Sequence, residues 1–118
     1  MSILASIAVG VVALLHAYFF VLETFLWDRP FGMRIFRLTP EFAKATKALA
    51  ANQGLYNGFL AAGLAWGLML GAAGDQIKIF FLCCVIVAGA VGAATVNQRI
   101  LWVQALPAGI ALALVLAS

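Results

Sequence analysis

The chain has 118 residues, of which 66% are hydrophobic and only 9% charged, with a formal net charge of +3. A water-covered domain usually carries about 25% charged residues, so this composition argues against a soluble globule. The basic excess is too small and too spread out for a nucleic-acid surface, and no nucleic-acid partner is expected.

Four runs lack Asp, Glu, Lys and Arg altogether: 1–22, 48–74, 79–98 and 100–118. Each approaches or exceeds the roughly 17 to 25 residues that cross a hydrocarbon core. The expectation is therefore an all-α, polytopic membrane protein. Four transmembrane helices, at about 2–27, 46–70, 77–96 and 100–116, would form one antiparallel bundle over 1–118, with a basic loop at 28–45.

The first apolar run has no basic flank of the kind that opens a signal peptide, and is read as a retained span. It ends at Asp28-Arg29-Pro30, because a residue before proline avoids helical geometry. The next stretch, FGMRIFRLTPE, mixes Phe31, Ile35, Phe36 and Leu38 with Arg34 and Arg37. It suits the lipid–water boundary, with a plain loop as the alternative.

Thr39-Pro40 is a helix start: Thr39 can cap free N–H groups and Pro40 fits the first helical position. The second long helix then passes through ANQGLYNGFLAAGL. Gly54 and Gly58, four apart, are read as a close-packing seam within a continuous helix rather than as turn residues. Gly71 to Gln76 form a turn. Cys83 and Cys84, adjacent in the third helix, make no metal-spaced motif and read as small apolar side chains. Asn97-Gln98-Arg99 forms the last turn. Pro107 is expected to bend the fourth helix and free the carbonyl of Val103.

Arg29, Arg34, Arg37, Lys44 and Lys47 all lie between the first two helices, Arg99 lies in the last turn, and only Lys78 lies in the middle turn. Basic loops stay in the cytoplasm. This predicts a multi-pass protein of the cell inner membrane with both termini outside, and membrane lipids as partners.

The chemistry-bearing residues fall on the cytoplasmic side of that plan. His16 and Glu23 are seven apart, and so return to nearly one helical face. Asn52 and Tyr56 form one four-spaced pair, and Gln53 and Asn57 another. Asn97, Gln98 and Gln104 approach from the other two helices. A carboxylate in hydrocarbon is paired, hydrated, protonated or at the interface. Glu23 thus has three readings: a structural pair, a binding or proton-transfer group, or a head-group contact. His16 is either a satisfied core residue or a ligand and proton partner of Glu23. The helix 2 amides either line a pocket or bond neighbouring helices. One His and one Glu make no metal signature, so no metal site is expected, and no cofactor is specified.

His16, Glu23 and Trp27 in LLHAYFFVLETFLW, the run NQGLYNGFLAAGL with Asn52, Gln53, Gly54, Tyr56, Asn57 and Gly58, and the late pair Asn97-Gln98 resemble the predicted integral-membrane family called domain of unknown function 1304. The resemblance covers nearly the whole chain and implies a small four-span membrane protein. It supplies no reaction.

The leading functional expectation is a binding protein for a lipophilic molecule such as a lipid, quinone or isoprenoid, with His16, Glu23, Asn52, Gln53, Tyr56, Asn57, Asn97, Gln98 and Gln104 around its polar head. A membrane enzyme would use His16 and Glu23 as catalytic proton-transfer groups. Transport of a small solute or protons would call for a homo-oligomer. A membrane assembly factor is the fourth reading.

Overall fold

The computed structural model describes residues 2–118. Helix α1 runs Ile3–Phe25, the short α2 Pro30–Phe36, and α3 Pro40–Met69. A single 3-10 turn, Gly71–Gly74, leads into α4, Asp75–Thr95. A π-helical turn, Leu101–Ala105, opens α5, Leu106–Ala117.

The breaks follow from local chemistry. Arg29, held extended (φ −96°, ψ 157°) by the proline after it, separates α1 from α2. Thr39 Oγ1 accepts from the Phe42 N–H at 3.1 Å and caps α3. Gly71, at φ +62°, takes the left-handed conformation that ends α3. Pro107 has no N–H to offer the carbonyl four residues back, and the helix ahead of it widens into the π turn. The polar run at 52–57 lies inside α3, which continues unbroken through Gly54 and Gly58.

The architecture is all-α, but the expectation of four membrane-crossing helices is not met. Among the described residues, two helical stretches are long and apolar enough to cross a membrane: Ile3–Phe25 and Gly71–Thr95. Helix α3 has ample length at 30 residues. Its apolar character is diluted by Glu41, Lys44 and Lys47 and then by Asn52, Gln53 and Asn57. The last apolar helix, Leu101–Ala117, is too short to qualify. Absence of charge identified four candidate segments; uncharged amides and length separate two of them from the rest.

The chain divides into two compact units, Met1–Leu14 with Leu60–Ser118, and Leu15–Phe59. Helices α1 and α3 contribute to both. The core of the first unit joins Ala5, Val9 and Val12 of α1, Leu64 of α3, Leu82 and Val85 of α4, and Ala108, Ala111 and Val115 of α5. These residues recur at intervals of three and four along α1, α4 and α5, as one buried helix stripe requires. Gly89 lets α4 approach the π turn so closely that a Cβ there would stand 2.8 Å from the backbone nitrogen of Ala105.

The first unit also buries a lysine. Lys78 is wholly inaccessible; its Nζ donates to the Gly71 carbonyl at 3.0 Å and pairs with Asp75 Oδ1 at 2.9 Å. Its stem lies against Gly67, where a Cβ would stand 2.6 Å from Lys78 Cγ. The lysine expected to be a turn charge is instead an internal clamp on the end of α3 and the start of α4.

In the second unit, α3 packs on α1 through the predicted glycine seam. A Cβ on Gly54 would meet Thr24 Oγ1 at 2.4 Å, and one on Gly58 would meet the Phe20 ring at 3.1 Å. The stretch 31–36 forms a helix whose Gly32 abuts the Leu26 carbonyl; a Cβ there would lie 1.8 Å from that oxygen.

Candidate functional site

The site is built where the Gly54 seam lets α3 approach the end of α1. Glu23 stands two residues before the end of α1, about 3 Å along the axis at the helical rise. Asn57 Nδ2 donates to Glu23 Oε1 at 2.5 Å. Asn57 is 8% exposed, whereas Glu23 is only partly buried. A carboxylate has two oxygens and about four acceptor positions, so a bond to Oε1 leaves chemical capacity for a second donor. Beside the pair lies Thr24, whose Oγ1 is buried.

Helical geometry divides the rest of the predicted set. Ala50, Gly54 and Asn57 are buried and spaced by four and three, which makes them one inward face of α3. Asn52, Gln53 and Tyr56 are exposed on other faces. Tyr56 rests its ring on Phe59, with centroids 6.1 Å apart. His16 is wholly buried, its ring edge-on to Phe19 at 5.7 Å.

The remaining predicted residues belong to the other unit. Asn97 shapes the turn after α4: its Oδ1 accepts from the Arg99 N–H at 2.9 Å. Gln98 is exposed beside it, and Gln104 is partly buried in the π turn. Among the described residues, no three His, Cys, Asp or Glu side chains gather as a metal site would need.

Two features near the site were not anticipated as bonds. Trp27 Nε1 donates to Thr46 Oγ1 at 3.0 Å, and Thr46 Oγ1 donates to the Phe42 carbonyl at 2.7 Å. Asp28 and Lys47 pair at 3.0 Å. The Lys47 ammonium holds the Asp28 carboxyl below its ordinary value. These contacts fasten the end of α1 to the first turns of α3. The sequence names all four residues, but the pairing of positions nineteen apart depends on the α2 connection between them.

The fold and site thus define a small all-helical protein with a glycine-seamed, polar helix pair. The family model described as "Protein of unknown function (DUF1304)" matches residues 10–116, and the chain belongs to that family. It is also 31% identical over 106 residues to "Uncharacterized protein YpaA" of Lactococcus lactis subsp. lactis (strain IL1403), covering 88% of this chain and 89% of that protein. No solved structure matches the chain.

Proposed function

We propose that this chain is an inner-membrane protein that binds a lipophilic molecule by its polar head at Glu23 and Asn57. The observation that carries the binding reading is the Glu23–Asn57 hydrogen bond, set at the end of a helix whose other residues are uncharged. Ile3, Leu4, Ile7, Val11, Leu14, Tyr18, Val21 and Phe25 are exposed. Their three- and four-residue spacing makes one apolar stripe along the whole of α1. An exposed stripe of this length supports contact with acyl chains. Glu23 lies on the opposite face of α1, with His16. The stripe thus supports a hydrocarbon setting for the helix, and a ligand whose tail stays in that hydrocarbon brings its polar head to Glu23 at the seam with α3. A quinone, isoprenoid alcohol or lipid has this division of polarity.

Five basic residues, Arg29, Arg34, Arg37, Lys44 and Lys47, lie between the two candidate spans. This supports a cytoplasmic position for segment 29–47 and the opposite side for both ends of the chain. The pair would then sit near the cytoplasmic boundary, where a bound head group need not leave water completely.

Native mass spectrometry of protein extracted in mild detergent tests the reading. Wild type should carry a co-extracted lipophilic mass, which Glu23→Gln and Asn57→Ala lose while retaining helical circular dichroism. A ligand-free wild type, or equal occupancy in folded variants, would contradict it.

A further inference from the structure

We infer that the outer face of α2 and the arginine that ends it form a docking surface for anionic phospholipid head groups. This rests on the membrane reading above but concerns a different site from Glu23 and Asn57.

Helix α2 has two faces with different duties. Gly32 and Phe36, four apart, form the inner one. Gly32 lies against the Leu26 backbone, and Phe36 packs on the Trp27 ring with centroids 5.0 Å apart. Trp27 is itself tied to Thr46, and the neighbouring Asp28 to Lys47. The inner face is therefore fixed on both sides. Phe31, Arg34 and Ile35 occupy the opposite face and are all exposed. Two apolar side chains flanking a guanidinium on a pinned helix suit the boundary between acyl chains and head groups.

The end of α2 adds an independent observation. Arg37 N–H bonds the Arg34 carbonyl at 3.4 Å, and Leu38 N–H bonds the Met33 carbonyl at 2.8 Å. This is a Schellman ending, in which the residue at the left-handed position is usually glycine. Here it is Arg37, at φ +56°, the one non-glycine residue with positive φ among those described. A long side chain stands where the backbone favours none, and local strain of this kind collects at functional positions. The strained position presents a second exposed guanidinium one residue beyond the end of the helix.

Charge selects the occupant. Arg29, Arg34 and Arg37 lie within nine residues, and among the described residues none forms a direct ion pair with a carboxylate, Arg29 acting on Asp28 only at longer range. Asp28 is engaged by Lys47, and Glu41 stands in the first turn of α3. Guanidinium groups bind phosphate in a bidentate manner. The phosphate of an anionic lipid such as phosphatidylglycerol carries an uncompensated negative charge for the guanidinium to meet, whereas that of phosphatidylcholine is already offset by its own choline cation.

The test uses full-length protein in mild detergent, equilibrated with equal parts phosphatidylglycerol and phosphatidylcholine and read by native mass spectrometry. Wild type should retain phosphatidylglycerol preferentially. The Arg34→Gln/Arg37→Gly pair should reduce that preference on the order of tenfold; Arg99→Gln should leave it unchanged. Arg37→Gly alone relieves the left-handed strain, so it should keep or raise thermal stability while lowering the preference. Retention of both lipids in the supplied ratio by wild type would overturn the inference. So would an undiminished preference in the double variant. The Glu23-dependent ligand mass is read in the same spectra: its persistence when lipid preference is absent refutes the α2 surface alone, and its absence refutes the proposed binding function.

Discussion

The two units use the same pair of long helices in different ways. In the unit containing residues 60–118, α1 supplies Ala5, Val9 and Val12, and α3 supplies Leu64, to an apolar core. In the 15–59 unit, the same helices meet through Gly54, Gly58 and a polar contact between Glu23 and Asn57. Apolar packing asks for volume and shape; a carboxylate–amide contact also fixes direction and leaves acceptor capacity. The contrast teaches that one helix can pack through apolar volume at one end and through a directed polar contact at the other. Lys78 sharpens it: the first unit also has a buried charge, but its carbonyl and carboxylate partners make it a clamp.

The largest expected effect comes from breaking the seat of α2. Gly32→Val brings side-chain atoms into the Leu26 carbonyl, a backbone atom that cannot turn aside. The cost should reach about 3 kcal/mol, the upper end of ordinary overpacking. Amide exchange should accelerate across residues 30–36 while protection around Leu82 and Val85 persists. Equal loss in both places would remove the distinction between the units.

Lys78→Met should come next. It preserves much of the stem's volume but removes the donor to Gly71 and the partner of Asp75. Breaking a fully buried ion pair costs about 3 to 5 kcal/mol. Because Asp75 is partly accessible, about 2 kcal/mol is the reasonable expectation here. A lower midpoint of thermal unfolding, with unchanged ligand occupancy at Glu23, would confirm a structural role confined to the first unit.

Asn57→Ala should cost less, about 1 kcal/mol, the net worth of a typical side-chain hydrogen bond. Its ligand occupancy should nevertheless fall sharply. A large stability loss without a change in occupancy would make Glu23–Asn57 a structural contact like that of Lys78.

Asp28→Asn should have the smallest effect. The folded-state Asp28 carboxyl titrates below the ordinary value of 3.8 because Lys47 faces it. Its contribution is thus present above that value and fades as pH falls through the lowered one. Wild type and Asp28→Asn should differ slightly in thermal midpoint at neutral pH and converge in stronger acid. A gap that widens in acid would reverse the assigned sign.

The helical class, the Thr39-Pro40 start, the Gly54–Gly58 seam and a disturbance of the last helix at Pro107 were legible because each depends on nearby residues; that the disturbance takes the form of a π turn was not. The number of candidate spans was not. Charge-free length treated Asn52, Gln53 and Asn57 as though they were apolar. Glu23 and Asn57 were both recognisable as site candidates, but their direct bond depends on tertiary approach. The 3.6-residue repeat already separates Asn57, in register with Ala50 and Gly54, from Asn52, Gln53 and Tyr56. Lys78 was missed as a clamp because a lysine near a turn reads as solvated until Gly67, Gly71 and Asp75 are placed around it.

A lipophilic probe with a hydroxyl head and a photoreactive group next to it tests the central claim most directly, by peptide mapping after illumination of the full-length protein. Adducts should concentrate at residues 18–25 and 53–59 and decline in Glu23→Gln. Adducts confined to residues 60–118, or an unchanged map in that variant, would contradict a head-group site at Glu23 and Asn57.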